Sequence, residues 1–197
     1  MRYDAEHKQK TRERVLKEAA KAIRAQGPYK VGVAEVMAKA GLTHGGFYAH
    51  FASKDDFVNA AVGQMFAEGQ ARLAQSLKAD TPRQALSDYL DFYLSKAHRD
   101  TRTAGCPLPF LAADAPRMDD AFRAQYAAGV AGLTERLAGP LAALGHDNAT
   151  DVAGSILAEM VGALALARAE PDAARSDVIL ARSLASVRRR AGLDTPA

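Results

Sequence analysis

Tryptophan is absent from this 197-residue chain, cysteine occurs once, and aromatic residues make up only 7% of it. Val, Ile and Thr are sparse beside abundant Ala and Leu, which disfavours strands and favours helices. A single cysteine, Cys106, excludes an intramolecular disulfide and fits a reducing compartment. The charged start from Met1 to Lys8 lacks an apolar signal core. Long hydrophobic runs are missing too: the most apolar stretch, Val152 to Ala167, carries Glu159 and is too short to span a bilayer. A soluble, cytoplasmic protein with no membrane partner is expected. There is no His-x-x-x-His pair, no Gly-rich phosphate loop after a strand, and no Ser-His-Asp set that can be assembled. The histidines His7, His44, His50, His98 and His146 are scattered. No enzyme, metal or cofactor is expected.

What is present is a chain with 48% hydrophobic residues, enough for a real core, and an uneven charge. Residues 1–54 hold 11 Lys and Arg against 5 Asp and Glu, while the rest hold 15 against 18. A basic block beside an acidic remainder points to a polyanion partner for the first part.

Hydrophobic spacing and end signals predict about nine helices and no strand, repeat or low-complexity segment. The first helix spans residues 4–26, with Val15, Ala19 and Ile23 on one face and Gly27-Pro28 as its stop. A second, residues 33–40, buries Val33, Val36 and Met37 and ends at Gly41. A third, short helix runs from His44 to Phe51. Ser53-Lys54-Asp55-Asp56 is a capping-box variant that starts a fourth, residues 53–78, with Val58, Val62, Met65, Phe66, Leu73 and Leu77 on one side. Thr81-Pro82-Arg83-Gln84 starts a fifth, which carries Leu86, Leu90, Tyr93, Leu94 and Ala97 inward. A short helix over residues 108–113 follows a break at Gly105-Cys106-Pro107. A seventh covers residues 118–144, with Pro140 expected to kink or end it. Asp147 is the expected cap of the eighth, residues 149–170. Pro171 separates it from the ninth, residues 172–191. Only the last few residues are expected to be disordered.

The run Gly41-Leu42-Thr43-His44-Gly45-Gly46-Phe47-Tyr48-Ala49-His50-Phe51-Ala52-Ser53-Lys54 reads as the turn, recognition helix and anchor of a helix-turn-helix. Thr43 can cap the short helix or donate to a phosphate. His44, in the first turn, can reach a base edge. Gly45 and Gly46 each cost a helix about 1 kcal/mol relative to Ala, which makes sense if something must approach closely. DNA satisfies that; tight packing against the first helix is the alternative. Phe47 and Phe51, four apart, belong to the core. Tyr48 can reach a phosphate. His50 can do the same or be buried and satisfied. Lys54 can hold a phosphate together with the N-terminus of its helix. Lys30 is a further basic candidate.

The elements Ala40-Gly41-Leu42-Thr43, Phe47-Tyr48, His50-Phe51 and Ser53-Lys54 resemble the TetR family of ligand-responsive transcriptional regulators, most closely from Thr11 to Val62. The resemblance implies backbone contacts for Thr43, Tyr48, His50 and Lys54, and places His44, Gly45 and Gly46 nearest the bases. Gly32 departs from the family's usual Ser or Thr, so only its amide can serve there. The implied architecture is all-α: a three-helix DNA-binding head, residues 1–52, and a helical ligand-binding and dimerisation domain, residues 53–197. The implied partners are a double-stranded DNA operator, a small-molecule effector and a second copy of the chain.

Ala153, Gly154, Ala158, Gly162, Ala163 and Ala165 on the eighth helix permit close helix approach, and the ninth offers Val178, Ile179, Leu184 and Val187. These can form a dimer interface through helices eight and nine, or an ordinary core. Candidate effector-lining residues are Met65, Tyr89, Tyr93, Cys106, Phe110, Met118, Phe122, Tyr126 and Met160, many of which are simply core at such spacings. They suggest an apolar or aromatic ligand. Cys106 is a candidate electrophile or redox sensor, or a buried inert thiol. The expected function is a sequence-specific homodimeric repressor, with redox sensing through Cys106 and non-specific architectural DNA binding as alternatives.

Overall fold

A computed structural model of the chain describes residues 2–76 and 78–194. Leu77 and the three C-terminal residues expected to be disordered lie outside the described residues. The described residues form nine α-helices and two 3₁₀ segments, with no strand among them. Packing divides the chain into two compact units. One comprises Met1–Glu68 with Arg102–Tyr126, the other Gly69–Thr101 with Ala127–Ala197.

In the first unit, α1 (Arg2–Gln26) buries Val15, Ala19 and Ile23. It stops where Gly27 adopts φ +85° and donates its amide to the Ile23 carbonyl at 2.8 Å. Helix α2 (Val33–Lys39) buries Val36 and Met37, while Val33 is only half-buried. Helix α3 (Lys54–Ser76) begins as the capping pattern requires: Ser53 Oγ accepts from the Asp56 amide at 3.0 Å. The reciprocal arm reaches one residue further back, with Asp56 Oδ2 accepting from the Ala52 amide at 3.0 Å. Phe47, Phe51 and Phe57 pack edge-on or tilted with centroids 5.0–5.5 Å apart.

Arg24 of α1 is buried, its side chain 2% exposed, and it donates to Glu68 Oε2 of α3 at 2.9 Å. Removing one partner of such a pair leaves a charge short of compensation. Glu68→Ala is expected to lower unfolding stability by about 1–2 kcal/mol, the partial exposure of Glu68 reducing the effect of a fully buried pair. A urea midpoint unchanged from wild type would show that the pair contributes nothing.

In the second unit, α4 (Pro82–Tyr93) starts at Thr81, whose hydroxyl accepts from the Gln84 amide at 3.2 Å. The expected continuation through Ala97 does not occur. Ser95 Oγ donates to the Phe92 carbonyl at 2.8 Å and accepts from the His98 amide at 3.1 Å. One hydroxyl thus closes α4 and caps a new helix, α5 (Lys96–Asp100), which leaves Ala97 exposed.

The short α6 covers only Leu108–Leu111 and follows Pro107. A 3₁₀ segment at Ala115–Arg117 precedes α7 (Asp120–Ala143), which Asp119 caps by accepting from the Phe122 amide at 2.8 Å. Helix α7 runs through Pro140 and ends at a Schellman turn on Gly145, φ +91°.

Helix α8 (Ala149–Ala169) begins after Asn148, not at Asp147, and without a side-chain cap bond. At 21 residues it is, by length and composition, able to cross a membrane, which corrects the shorter stretch read from the sequence. In this fold it buries Ile156, Leu157, Met160 and Leu164 and packs on α9 (Ala173–Arg190), the behaviour of a core helix. Asp172 caps α9 by accepting from the Arg175 amide at 2.8 Å. Side chains tie α5 to both: Arg168 of α8 donates to the carbonyls of His98 and Arg99, and Arg99 donates to Ser176 Oγ of α9 at 2.9 Å.

Candidate nucleic-acid interface

The turn after α2 is a Schellman motif. Gly41, at φ +72°, donates to the Ala38 carbonyl and Leu42 donates to the Met37 carbonyl, each at 2.9 Å. Only a residue tolerant of the left-handed region allows the chain to reverse so tightly. Before α2, Gly32 offers no side chain, and its carbonyl accepts from Val36 at 3.1 Å.

The recognition segment is a 3₁₀ helix over His44–Ala49, not the α-helix expected through Phe51. Gly46 donates to the Thr43 carbonyl at 3.1 Å and His50 to the Phe47 carbonyl at 2.9 Å, both with three-residue spacing. Two adjacent glycines weaken α-helical propensity, and Thr43 makes no side-chain cap bond to offset it. In a 3₁₀ helix, residues three apart eclipse. Gly45 and Tyr48 therefore share a row, and both are exposed, Tyr48 by 74%.

The glycine pair does not serve packing against α1. A Cβ added at Gly45 meets nothing within 4 Å, and one at Gly46 only touches the Met37 methyl at 3.6 Å. Neither glycine has a positive φ, so backbone strain does not explain them. Thr43 and His44 are exposed beside Gly45, and Gly46 is half-buried. Phe47 and Phe51 are buried, anchoring the segment from beneath.

Lys30 is exposed in the turn before α2. Lys54 heads α3 and donates to the Tyr29 carbonyl at 3.2 Å, while Tyr29 donates its hydroxyl to the Arg117 carbonyl at 3.0 Å. His50 is half-buried, and burial, with the charges of Lys8 and Arg12, holds its imidazole below the ordinary value. Those two cations lie on α1, which the motif reading left out. Their signal was the four-residue spacing that places Lys8 and Arg12 on one helix face. Arg12 stacks on the Phe51 ring at 5.0 Å.

The nine effector candidates divide between the units. Met65, Cys106, Phe110, Met118, Phe122 and Tyr126 belong to the first, and Tyr89, Tyr93 and Met160 to the second. Phe110, Met118 and Tyr126 are half-buried and the others buried. Tyr126 packs edge-on to Phe66 at 6.3 Å, donates to the Leu108 carbonyl at 3.4 Å, and has its phenol pushed up by burial. It also lines a groove of about 500 Å³ with Ala112, Ala115, Pro116 and Arg123. A groove of about 610 Å³ in the second unit, lined by residues including Pro82, Arg136 and Pro140, contains none of the nine. Cys106 is 7% exposed.

An exposed row of Gly45 and Tyr48 above an aromatic anchor, on a glycine-closed turn in a basic setting, is a helix-turn-helix reading head. Residues 15–61 match the family described as bacterial regulatory proteins, tetR family. Residues 82–178 match the C-terminal domain described as transcriptional regulator LmrA/YxaF-like. Among solved structures, E. coli NemR in its reduced form is similar at 23% identity, covering 91% of this chain and 97% of that one, with a TM-score of 0.78. A TetR-family regulator from Cytophaga hutchinsonii is 20% identical over 94% and 95% of the chains, TM-score 0.80. Another from Chloroflexus aurantiacus J-10-FL is 25% identical over 93% and 95%, TM-score 0.79. No curated protein matches the sequence. Fold and site thus define a helix-turn-helix DNA-binding regulator of transcription. The chain belongs to the TetR family.

Proposed function

We propose that this regulator is a homodimeric repressor, released from a palindromic operator by a small apolar or aromatic effector. Residues 1–52 serve as the DNA head and residues 53–197 as the effector and dimer domain. The observation that carries the DNA part is Gly45: an exposed glycine with open space around it has no use inside the fold, but permits close approach of a duplex. Thr43, Tyr48, His50 and Lys54 take backbone phosphates, with the Gly32 amide and Lys30 beside them. His44, Gly45 and Gly46 face base edges.

Dimerisation is supported by the outward face of α8, where Ala158 and Leu166 are exposed and Gly162 is half-buried with nothing near its Cβ position. On α9, exposed Val178 lies in a groove of about 450 Å³ with Ile179 and Ala174. Two copies joined there would present recognition segments to half-sites about 34–36 Å apart. The effector acts only as far as it binds the released state more tightly than the DNA-bound one. Within the first unit, Met65, Cys106, Phe110, Met118, Phe122 and Tyr126 remain the candidates for its site.

The test is selection from a random duplex pool at about 150 mM salt, near physiological ionic strength. Enrichment of a two-fold palindrome supports the proposal. Binding that is indifferent to sequence and fades uniformly with salt refutes it in favour of architectural binding. On the enriched duplex, Tyr48→Phe and Lys54→Ala are expected to weaken binding ~3- to 10-fold at every sequence alike, whereas His44→Ala changes preference at particular base positions. Unchanged affinity in both Tyr48→Phe and Lys54→Ala would refute this docking of the recognition segment.

A further inference from the structure

Between α1 and the recognition segment lies a groove of about 370 Å³. His7, Lys8, Thr11 and Arg14 of α1 line one side, and Leu42, Ala49 and His50 the other. Among the side chains described from Glu6 onward, neither Lys8 nor Arg14 has a carboxylate partner, although Lys10 nearby is paired with Glu6. His50 lines the groove, and its Nδ1 is buried within the protein without a hydrogen-bond partner. A buried ring nitrogen left unmet is destabilising, and unpaired cations crowded beside it add repulsion. Both are explained if the fold is completed by an anion from outside.

We propose that this groove is a phosphodiester seat in which Lys8 and Arg14 of α1, together with His50, hold one backbone phosphate of each operator half-site. The proposal rests on the DNA-binding reading above and adds α1 to the contact surface. Nδ1 is closed off in this structure, so a turn of the His50 ring is what gives Nδ1–H a phosphate oxygen as its acceptor, and the two cations supply charge-assisted hydrogen bonds.

The seat also makes binding proton-linked. Among the described side chains facing His50, Lys8 and Arg12 act on it directly as cations, His7 and Arg14 line the groove, and Leu42 and Ala49 bring no charge. Burial, with the Lys8 and Arg12 charges, lowers the ring's affinity for a proton. A bound phosphodiester reverses the sign of the local field and stabilises imidazolium. His50 then takes up a proton on binding, so affinity rises as pH falls from 8 to 6.

The experiment uses the full chain and the duplex enriched by selection, with affinity measured across salt and pH. Lys8→Ala and Arg14→Ala are each expected to weaken binding about 5- to 20-fold and to lower the salt slope by about two, one contact per half-site. Both side chains are exposed, so thermal unfolding should match wild type. His50→Gln, which retains a donor but cannot titrate, is expected to flatten the pH dependence. Wild-type affinity and salt slope in both α1 variants, or an unchanged pH dependence in His50→Gln, overturns the seat. Lys54→Ala separates the two levels of failure: if it weakens binding while the α1 variants do not, only the seat is wrong. If the wild type enriches no duplex, the underlying reading and the seat fall together.

Discussion

Gly45→Leu is expected to abolish operator recognition while leaving a folded protein. A Cβ at this position meets nothing within 4 Å, so the larger side chain projects from the surface without displacing any neighbour. Its backbone is not in the positive-φ region, so no strain is introduced. The same side chain stands in the exposed row of Tyr48, on the face proposed to meet the duplex. Affinity should fall ~100-fold or more, toward the non-specific level. Gly45→Ala isolates the fold's own preference. It restricts the unfolded chain at a compatible site, and stability should rise by about 0.4–1 kcal/mol. Chemical denaturation read beside fluorescence anisotropy with the selected duplex checks both. A Gly45→Leu protein that binds as wild type would remove the recognition segment from the interface.

Acid should weaken the second unit through His98. This ring is buried, stacks on Phe92 at 5.1 Å and meets the Tyr93 ring edge-on at 4.9 Å. Its Nδ1–H donates to the Tyr93 carbonyl at 2.8 Å, which sets the neutral tautomer. Burial is the main cause that lowers its pKa to about 4, and the Arg168 and Arg72 charges act in the same direction. In the unfolded chain the ring titrates near its ordinary value of about 6.5. Between those values the unfolded state binds more protons than the folded one, so stability is fully present above about pH 6.5 and falls as pH drops toward 4. The loss from this group is about 3 kcal/mol across that window. His98→Leu should be less stable at pH 7, having lost the bond to Tyr93, yet should decline less steeply on acidification. Parallel stability-versus-pH curves for the two proteins between pH 7 and 4.5 would show that His98 does not carry the effect.

Elements whose ends are written locally were legible. Thr81-Pro82 begins a helix as expected, because the capping hydroxyl sits three residues from the amide it satisfies, and the ninth helix starts one residue after the expected Asp172, which caps it. Gly41 closes α2 for an equally local reason. The start of α8 falls after Asn148 and not at the expected cap Asp147, because a run of polar residues leaves several starting points and no side chain caps the helix. The break at Ser95 was missed because an apolar periodicity runs on through Ala97, and a single hydroxyl with two partners decides against it. In the reading head, residue types and their order marked the face, while its 3₁₀ geometry depended on weak α-propensity competing with burial of Phe47 and Phe51.

By itself, the sequence determined that this chain is helical, where most helices start and stop, and that its basic first quarter carries a helix-turn-helix. Each of these rests on interactions between residues at most a few positions apart, which a linear string displays directly. Only the tertiary structure decided that Gly45 faces open space, that Lys8 and Arg14 flank His50, that Glu68 compensates Arg24, and that His98 is held neutral. Those properties belong to groups brought together from distant parts of the chain, and burial and electrostatic environment exist only once the chain has been packed.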